Sequence, residues 1–268
     1  MARSFTLVAF HAHPDDEALL MGGTLARLAA EGHRVVLAVA TDGEAGAAAS
    51  AYRSGPGLAA FRRDELERSA AALGCARVVR LGFKDSGSSE VPYDEGFSTL
   101  PVEDAAAPLI ELLREEQADA LTIYDPAGGY GHPDHRQVHA VGTYAAERAR
   151  TPLVLEATID RHLIRRLIRI VEAIPGILPG VSTAAYDSAY APSAAITHRV
   201  DVRRYATQKR ASFAAHASQA SSDGSARTLA LLLKLPQWLF RALLGREWYV
   251  EHGRTPAAPL DDLFASLR

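Results

Sequence analysis

Short apolar runs alternate with longer amphipathic segments over the first 160 residues, and this alternation limits the fold more than any other feature. The runs are apolar throughout, which is typical of strands that helices cover on both faces. Strands that alternate with helices predict βαβ units and a mostly parallel sheet. We therefore expect a Rossmann-like α/β fold, with strands at 5–10, 34–40, 77–81, 120–124 and 153–157 and helices at 23–31, 58–73, 102–116 and 133–149.

The rest of the chain has a less regular pattern. Residues 164–174 have helical periodicity, residues 197–202 favour a late strand, and residues 202–216 favour a further helix. We expect a single domain over residues 1–268. Within it, residues 1–160 form the Rossmann-like core, and residues 161–268 form a C-terminal region that completes the substrate pocket.

Polar side chains cluster where the first four predicted strands end. In an open α/β sheet, ligands bind beyond the carboxyl ends of the strands. A dinucleotide-binding fold needs a glycine-rich first turn, but this chain places histidines and acids there, which would repel a pyrophosphate and attract a cation. The sequence therefore predicts a site at one rim of the sheet, built from residues 11–17, 41–44, 84–87 and 124–135.

His13 and Asp16 lie three residues apart near the start of a predicted helix, a spacing that can point both side chains to one side. A His-x-x-His pair, His132 and His135, follows the fourth strand. Two imidazoles and a carboxylate suit Zn²⁺, and three protein ligands leave the fourth position for water, as in catalytic zinc sites. We therefore expect one zinc ion, or another divalent metal, held by His13, Asp16 and one of the later histidines.

Neighbouring residues can supply acid–base chemistry. Asp15 lies beside a predicted ligand, and a carboxylate there can take a proton from water. Tyr130 and the histidine that does not bind metal can donate hydrogen bonds to an oxyanion. Asp134 can orient a histidine through its second ring nitrogen. These residue types together predict a hydrolytic metal enzyme.

Two motifs resemble a known family. The A-H-P-D-D-E sequence at 12–17, together with H-P-D-H at 132–135, resembles the LmbE-like, or PIG-L, deacetylase family. Less specific matches lie at 41–44, 62–74, 85–87, 209–219 and Glu247. The chain departs from the family pattern between Glu44 and Phe61, where a loop rich in Ala, Ser and Gly replaces a run of acids. This loop is expected to border the pocket.

The resemblance implies zinc-dependent removal of an acyl group, usually acetyl, from amino sugars and their conjugates. It implies that the zinc ligands are His13, Asp16 and His135. It implies Asp15 as general base, His132 and Tyr130 as oxyanion donors or acid, Asp134 as their support, Arg62 and Asp85 as sugar-binding residues, and His216 as a residue near the substrate.

We therefore expect the chain to hydrolyse an N-acyl, above all N-acetyl, amide on a small amino-sugar conjugate. Two alternatives stay open. One is an amidase that acts on a thiol conjugate or a peptide-like secondary metabolite. The other is a non-catalytic module that binds sugar, although a pure binder would not need Asp15 and Asp16 together.

Charge and hydropathy argue against several other partners. The formal net charge of -3 and the pI of about 6.4 lack the basic footprint of a nucleic-acid binder. Charged residues and a proline interrupt the apolar segment 229–244, so we expect no membrane span. The start of the chain lacks the pattern of a signal peptide, and the single Cys75 precludes an internal disulfide. These features favour a cytoplasmic protein and leave a homo-oligomer open.

Overall fold

The computed structural model describes residues 3–45, 57–87, 95–172, 187–220, 231–255 and 257–268. The strands are β1 Thr6–His11, β2 Arg34–Thr41, β3 Arg77–Phe83, β4 Ala120–Tyr124, β5 Leu153–Thr158, β6 His198–Asp201 and β7 Arg246–Glu251. They form a seven-stranded sheet in the order β3-β2-β1-β4-β5-β7-β6. Strands β1 to β5 are parallel, whereas β7 is antiparallel to both of its neighbours. The mostly parallel sheet confirms the predicted fold class.

The helices form two groups. Their bounds are α1 Asp16–Ala30, α2 Leu58–Leu73, α3 Val102–Glu115, α4 Pro133–Ala149, α5 Arg161–Glu172, α6 Ala206–Ala215, α7 Ala217–Ala220 and α8 Gln237–Leu244. Helices α1, α2 and α6 pack together, and α3 packs against α4. Because crossovers between parallel strands are right-handed, the two groups lie on opposite faces of the sheet.

The order of the strands determines where a ligand can bind. From β1 the chain proceeds to β2 and β3 on one side, and then returns to β4 and β5 on the other. Strands β1 and β4 are direct neighbours, with Leu7 opposite Ala120 and Ala9 opposite Thr122. A crevice opens at such a switch point, beyond the carboxyl ends of the strands. The loops after β1 and β4 therefore face each other across it.

The C-terminal part of the chain holds helix α1 against the sheet. Glu247 on β7 accepts hydrogen bonds from the backbone N–H groups of Gly23 at 2.9 Å and Thr24 at 2.7 Å. The same carboxylate is 2.5 Å from Lys209 Nζ on α6, and all of these groups are buried. A Cβ atom on Gly23 would lie 2.4 Å from Val202 Cγ2, so only glycine permits this packing. Elements distant in sequence thus fix the helix that carries the predicted metal ligand Asp16.

The structure corrects several predicted bounds. Helix α1 begins at Asp16 instead of residue 23, because the polar residues of its first turn interrupt the apolar periodicity. The predicted bounds of β4, α2 and α4 agree with the structure, whereas β7 was not predicted. The last two residues of the helix predicted over 164–174 lie outside the described residues. Across the described ranges, no helix has the length and hydropathy needed to traverse a bilayer.

Candidate metal centre and active site

The fold brings three predicted metal ligands together from two loops. His13 lies in the turn after β1, Asp16 begins α1, and His135 lies in the first turn of α4. Asp16 Oδ2 is 3.3 Å from His13 Nδ1 and 3.3 Å from His135 Nε2. Two ligand atoms at about 2.0–2.1 Å from a tetrahedral zinc ion lie about 3.3 Å apart, so both spacings suit a shared metal.

The second ring nitrogen of His13 faces carboxylates. Nε2 is 3.1 Å from Asp134 Oδ2 and 3.5 Å from Asp85 Oδ1. Burial disfavours the charged ring, but three neighbouring carboxylates outweigh this effect and raise the pKa of His13 well above its ordinary value. When Nε2–H donates to a carboxylate, Nδ1 stays available to a metal, as in many metal-binding histidines. Asp134 is itself fixed by two backbone N–H groups at 3.1 Å, those of Ser86 and Ser98.

The His135 ring is held by aromatic contacts and not by hydrogen bonds. It is 2% exposed and stacks on Tyr124, with ring centroids 4.1 Å apart and 6° between the planes. Among the described residues, neither ring nitrogen has a hydrogen-bond partner. Burying an imidazole without partners costs free energy, and a metal bound at Nε2 would offset part of that cost. The donor set of His13, Asp16 and His135 therefore fits zinc.

His132 lies close to the same atoms but has a different hydrogen-bonding state. One nitrogen each of His13, His132 and His135 lie within 4.8 Å of one another. His132 precedes α4 as its N-cap, and its Nδ1 accepts the backbone N–H of Asp134 at 3.2 Å. Burial and the two nearby histidines lower the pKa of His132 to about 4, so the ring is neutral. Its proton must then lie on Nε2, which makes this atom a donor and not a metal ligand.

Asp15 and Arg62 form a partly buried ion pair beside the metal ligands. Arg62 Nη2 is 3.3 Å from Asp15 Oδ2, and Arg62 Nη1 donates to the carbonyl of Gly43 at 2.7 Å. Gly43 has a φ of 68°, and a Cβ there would lie 1.7 Å from Arg62 Nη1, so glycine is required. Burial raises the pKa of Asp15 to about 6, and the Arg62 charge limits the rise. Asp15 can therefore exchange a proton near neutral pH.

Tyr130 and Asp85 lie close to different metal ligands, Tyr130 to His135 and Asp85 to His13. Tyr130 is 58% exposed, and its ring centroid is 5.2 Å from that of His135. Asp85 is 6% exposed, and its two oxygens accept the backbone N–H groups of Gly87 at 2.8 Å and Ala45 at 3.1 Å. The carboxylate of Asp85 thus fixes the loops after β2 and β3. Most of the loop between Glu44 and Phe61, expected to border the pocket, lies outside the described residues.

His216 connects to Asp15 through Glu17, and its position near the substrate stays a prediction. It is 1% exposed, and its Nε2 is 2.6 Å from Glu17 Oε1 in a buried network behind Asp15. The other nine predicted site residues gather around the cleft. Glu17, which is 0% exposed, had no predicted role, because an acid in the first turn of a helix gives no sign of being buried. The distance of 199 residues between Glu17 and His216 also hid their contact.

The sequence matches a family model over the part of the chain that builds this cleft. The model is described as PIG-L, GlcNAc-PI de-N-acetylase, and it covers residues 8–146. The chain belongs to the PIG-L family. All nine cleft residues lie within that match, whereas His216 lies outside it.

Relatives of this PIG-L family chain include a protein of Thermobifida fusca named 1D-myo-inositol 2-acetamido-2-deoxy-alpha-D-glucopyranoside deacetylase. It is 34% identical, over 82% of this chain and 85% of the relative. Among solved structures, N,N'-diacetylchitobiose deacetylase from Pyrococcus horikoshii has a TM-score of 0.57 at 23% identity, covering 92% of this chain and 83% of that one.

Another solved structure with this fold is that of an enzyme named for a different reaction. The 4-carboxy-2-hydroxymuconate hydratase from Pseudomonas putida has a TM-score of 0.57 at 17% identity, covering 96% of this chain and 99% of that one. A fold of the PIG-L kind therefore does not determine the reaction, and function has to be argued from the site.

Proposed function

We propose that this chain is a zinc-dependent N-deacetylase that hydrolyses the acetamide of an N-acetylglucosamine joined to an inositol or a similar polyol. The observation that carries the proposal is the convergence of His13 Nδ1 and His135 Nε2 on Asp16 Oδ2, with the Asp15 carboxylate alongside. The named activity of the 34% identical relative supports the choice of substrate class.

His13, Asp16 and His135 would hold about one zinc ion per chain, since they supply the three protein ligands typical of a catalytic zinc site. When bound, zinc would supply a Lewis acid that polarises the amide carbonyl and acidifies water in the cleft. Asp134 keeps the His13 ring oriented by accepting its Nε2–H.

Asp15 acts as the general base. Its carboxylate takes a proton from the attacking water while the water oxygen bonds to the acetyl carbon. Asp15 then returns that proton to the sugar nitrogen as the C–N bond breaks, which leaves the free amine and acetic acid, and the acid releases its proton to water to give acetate. A pKa near 6 suits both halves of this transfer at neutral pH.

His132 and Tyr130 stabilise the negative charge that develops on the carbonyl oxygen. His132 donates through Nε2–H, and its low pKa keeps it a neutral donor over the working range. Tyr130 presents its hydroxyl from the exposed mouth of the cleft. Donors already aimed at a developing oxyanion lower the barrier without reorganising during the reaction.

Arg62 and Asp85 would bound the sugar-binding part of the cleft. Both are nearly buried and hold loop backbone, Arg62 at Gly43 and Asp85 at Gly87. We assign them to substrate binding through the shape of these loops as well as through their own polar atoms. Residues 161–268 would complete the same domain, since β6 and β7 extend the sheet that begins with β1.

A substrate panel tests the proposal. The zinc-loaded chain is given N-acetylglucosaminyl-inositol, free N-acetylglucosamine, an N-acylated thiol conjugate and a peptide-like amide, and amine and acetate are quantified. We expect equal amounts of acetate and amine, formed fastest from the inositol conjugate. Amine release from the thiol conjugate or the peptide-like amide alone would contradict the substrate class. Binding of the sugar without any release would contradict the enzyme activity.

A further inference from the structure

The Glu17 carboxylate connects three separate parts of the chain while being 0% exposed. Its Oε2 accepts the backbone N–H of Asp15 at 3.0 Å. Its Oε1 is 2.5 Å from Ser69 Oγ and 2.6 Å from His216 Nε2. A buried carboxylate needs such donors, because ionised oxygens without them are strongly disfavoured away from water. Three donors from α2, from the end of α6 and from the Asp15 backbone satisfy it.

The backbone of Asp15 has an unusual conformation that this carboxylate helps to hold. Its φ is 110° and its ψ is -28°, in a region that residues other than glycine rarely adopt. Such a conformation persists only where the surroundings enforce it, and it often occurs at functional sites. In this conformation the Asp15 N–H points to Glu17 while the side chain lies beside Arg62. The direction of the Asp15 carboxylate is thereby tied to the position of Glu17.

Two helices in turn determine the position of Glu17. Ser69 on α2 is 2.6 Å from Ser212 Oγ on α6, so the hydroxyl that contacts Glu17 is fixed at both ends. His216 caps the carboxyl end of α6 and is 1% exposed. Among the described residues, its Nδ1 has no hydrogen-bond partner, so the ring is held by its Nε2 contact to Glu17 and by packing.

We propose that Glu17 is a positioning residue that keeps the Asp15 carboxylate aimed into the cleft, and that His216 and Ser69 hold Glu17 in place for this purpose. The inference rests on the proposed function, in which Asp15 is the general base. It gives His216 a role that acts through Glu17 and Asp15 instead of through contact with the sugar. These residues affect the turnover step more than metal or substrate binding, because none of them supplies a metal ligand.

A matched control comes from another buried carboxylate, which lies on α2 and also accepts a serine hydroxyl. Glu65 is 3% exposed, and its oxygens accept the backbone N–H of Ser218 at 2.8 Å and the Ser218 hydroxyl at 2.6 Å. The Ser218 hydroxyl is as buried as that of Ser69 and contacts a carboxylate at a similar distance. Within the described part of the chain, no hydrogen bond joins Glu65 to Asp15. Ser218 lies on α7 and its partner Glu65 on α2, so Ser218→Ala removes a bond of similar length that involves neither Glu17 nor the Asp15 backbone.

The test compares His216→Ala, His216→Gln, Ser69→Ala and Ser218→Ala, each loaded with zinc. We expect His216→Ala to lower kcat by about 10- to 100-fold through misplacement of the base, with zinc content retained and KM changed by less than about threefold. His216→Gln should recover most of the loss, since the glutamine amide can donate to Glu17 from nearly the position of Nε2. Ser69→Ala should lower kcat by about fivefold, and Ser218→Ala by less than about twofold.

A readout without substrate separates this inference from the proposed function. The Asp15 amide proton, which donates to a carboxylate, should have a downfield NMR shift and slow exchange with solvent. Glu17→Gln should move the shift upfield and speed the exchange. If these amide changes occur but the wild-type chain releases no acetate, the proposed function is wrong and the positioning role stands.

Three results would overturn the positioning role. One is a kcat for His216→Ala within twofold of wild type. Another is an equal loss in Ser218→Ala, which would indicate a general packing effect. The third is an unchanged Asp15 amide in Glu17→Gln. If His216→Ala does not fold, Ser69→Ala and Glu17→Gln still decide the question.

Discussion

Two clusters of two histidines and one carboxylate each take one histidine from α4, one helical turn apart, and their ring nitrogens are used in different ways. The cleft cluster is His13, Asp16 and His135, and the peripheral cluster is His139, Glu156 and His252. In the peripheral cluster, His252 Nε2 is 2.5 Å from Glu156 Oε1, and His139 Nδ1 donates to the Tyr124 carbonyl at 3.1 Å. One ring nitrogen of each histidine is therefore already used in a hydrogen bond.

The cleft cluster leaves its coordinating atoms available. Among the described residues, both nitrogens of His135 lack hydrogen-bond partners, and His13 uses only Nε2 on Asp134. Both clusters contain the same residue types, and both bring candidate ligand atoms close together. The number of histidines and acids therefore does not define a metal site. What distinguishes the cleft is that one ring nitrogen of His13 and one of His135 lie 3.3 Å from the same Asp16 oxygen. That oxygen also accepts the backbone N–H of His13.

The largest effect should come from removing the base of the cleft. We expect Asp15→Asn to lower kcat by about 10²- to 10⁴-fold, because the amide cannot accept the proton of water. Zinc content should stay at the wild-type level, which metal analysis of the purified variant checks. Asp119→Asn is the control, since Asp119 pairs with Arg3 and accepts the Thr6 N–H at the amino end of β1, the end opposite to the cleft. Near-normal turnover in Asp15→Asn would exclude Asp15 as the base.

The pH dependence should also distinguish the two clusters. Asp15 works as a base only when it is deprotonated, and burial raises its pKa to about 6. Lowering the pH through that value protonates the carboxylate, so kcat/KM should fall about tenfold per unit below about pH 6 and be flat just above it. A bound cation lowers the pKa of a nearby carboxylate, so it can only shift this fall in kcat/KM to lower pH. Rate profiles at saturating zinc check this, and His252→Gln should leave the limb unchanged.

Tyr130→Phe should have a smaller effect. It removes one of two proposed oxyanion donors while keeping the ring beside His135. We expect kcat to fall about tenfold with little change in KM, because His132 still donates. Steady-state kinetics with the inositol conjugate measure both constants. A change in KM alone would indicate that Tyr130 only binds substrate.

The smallest effect should come from the peripheral cluster. His252 is 32% exposed at its side chain, and its bond to Glu156 lies near the surface. We expect His252→Ala to lower the free energy of unfolding by about 1 kcal/mol, with no loss of zinc or activity. Chemical denaturation measures the free energy of unfolding. Loss of zinc in this variant would mean that the peripheral cluster binds the metal.

Much of the parallel half of the fold could be predicted from the sequence, because its strands are apolar runs and its helices are periodic. Strand β7 could not, for a physical reason. Its buried positions are Glu247, Tyr249 and Glu251, so two of the three inward residues are charged. Lys209 and the backbone of α1 satisfy Glu247, and these partners are distant in sequence. Strand β7 therefore lacks the apolar inward positions that would have predicted it from the sequence.

The candidate site could be predicted from the sequence to a similar degree. Residues next to strand ends, such as His13 and His135, could be placed at one rim from the order of elements alone. The tautomer of His132 could not be predicted from the sequence, because it depends on the backbone N–H of Asp134, which donates to His132 Nδ1. The contact between Glu17 and His216 needed the packing of α6 on α1, which no local pattern encodes.

The zinc content of two matched variants tests the account most directly. Wild type, Asp16→Asn and Glu156→Gln are purified without chelator, equilibrated with zinc, freed of excess and analysed for metal per chain. We predict about one zinc ion in wild type and in Glu156→Gln, and less than about 0.1 in Asp16→Asn, since only Asp16 lies between two available imidazole nitrogens. Full zinc in Asp16→Asn together with its loss from Glu156→Gln would contradict the account.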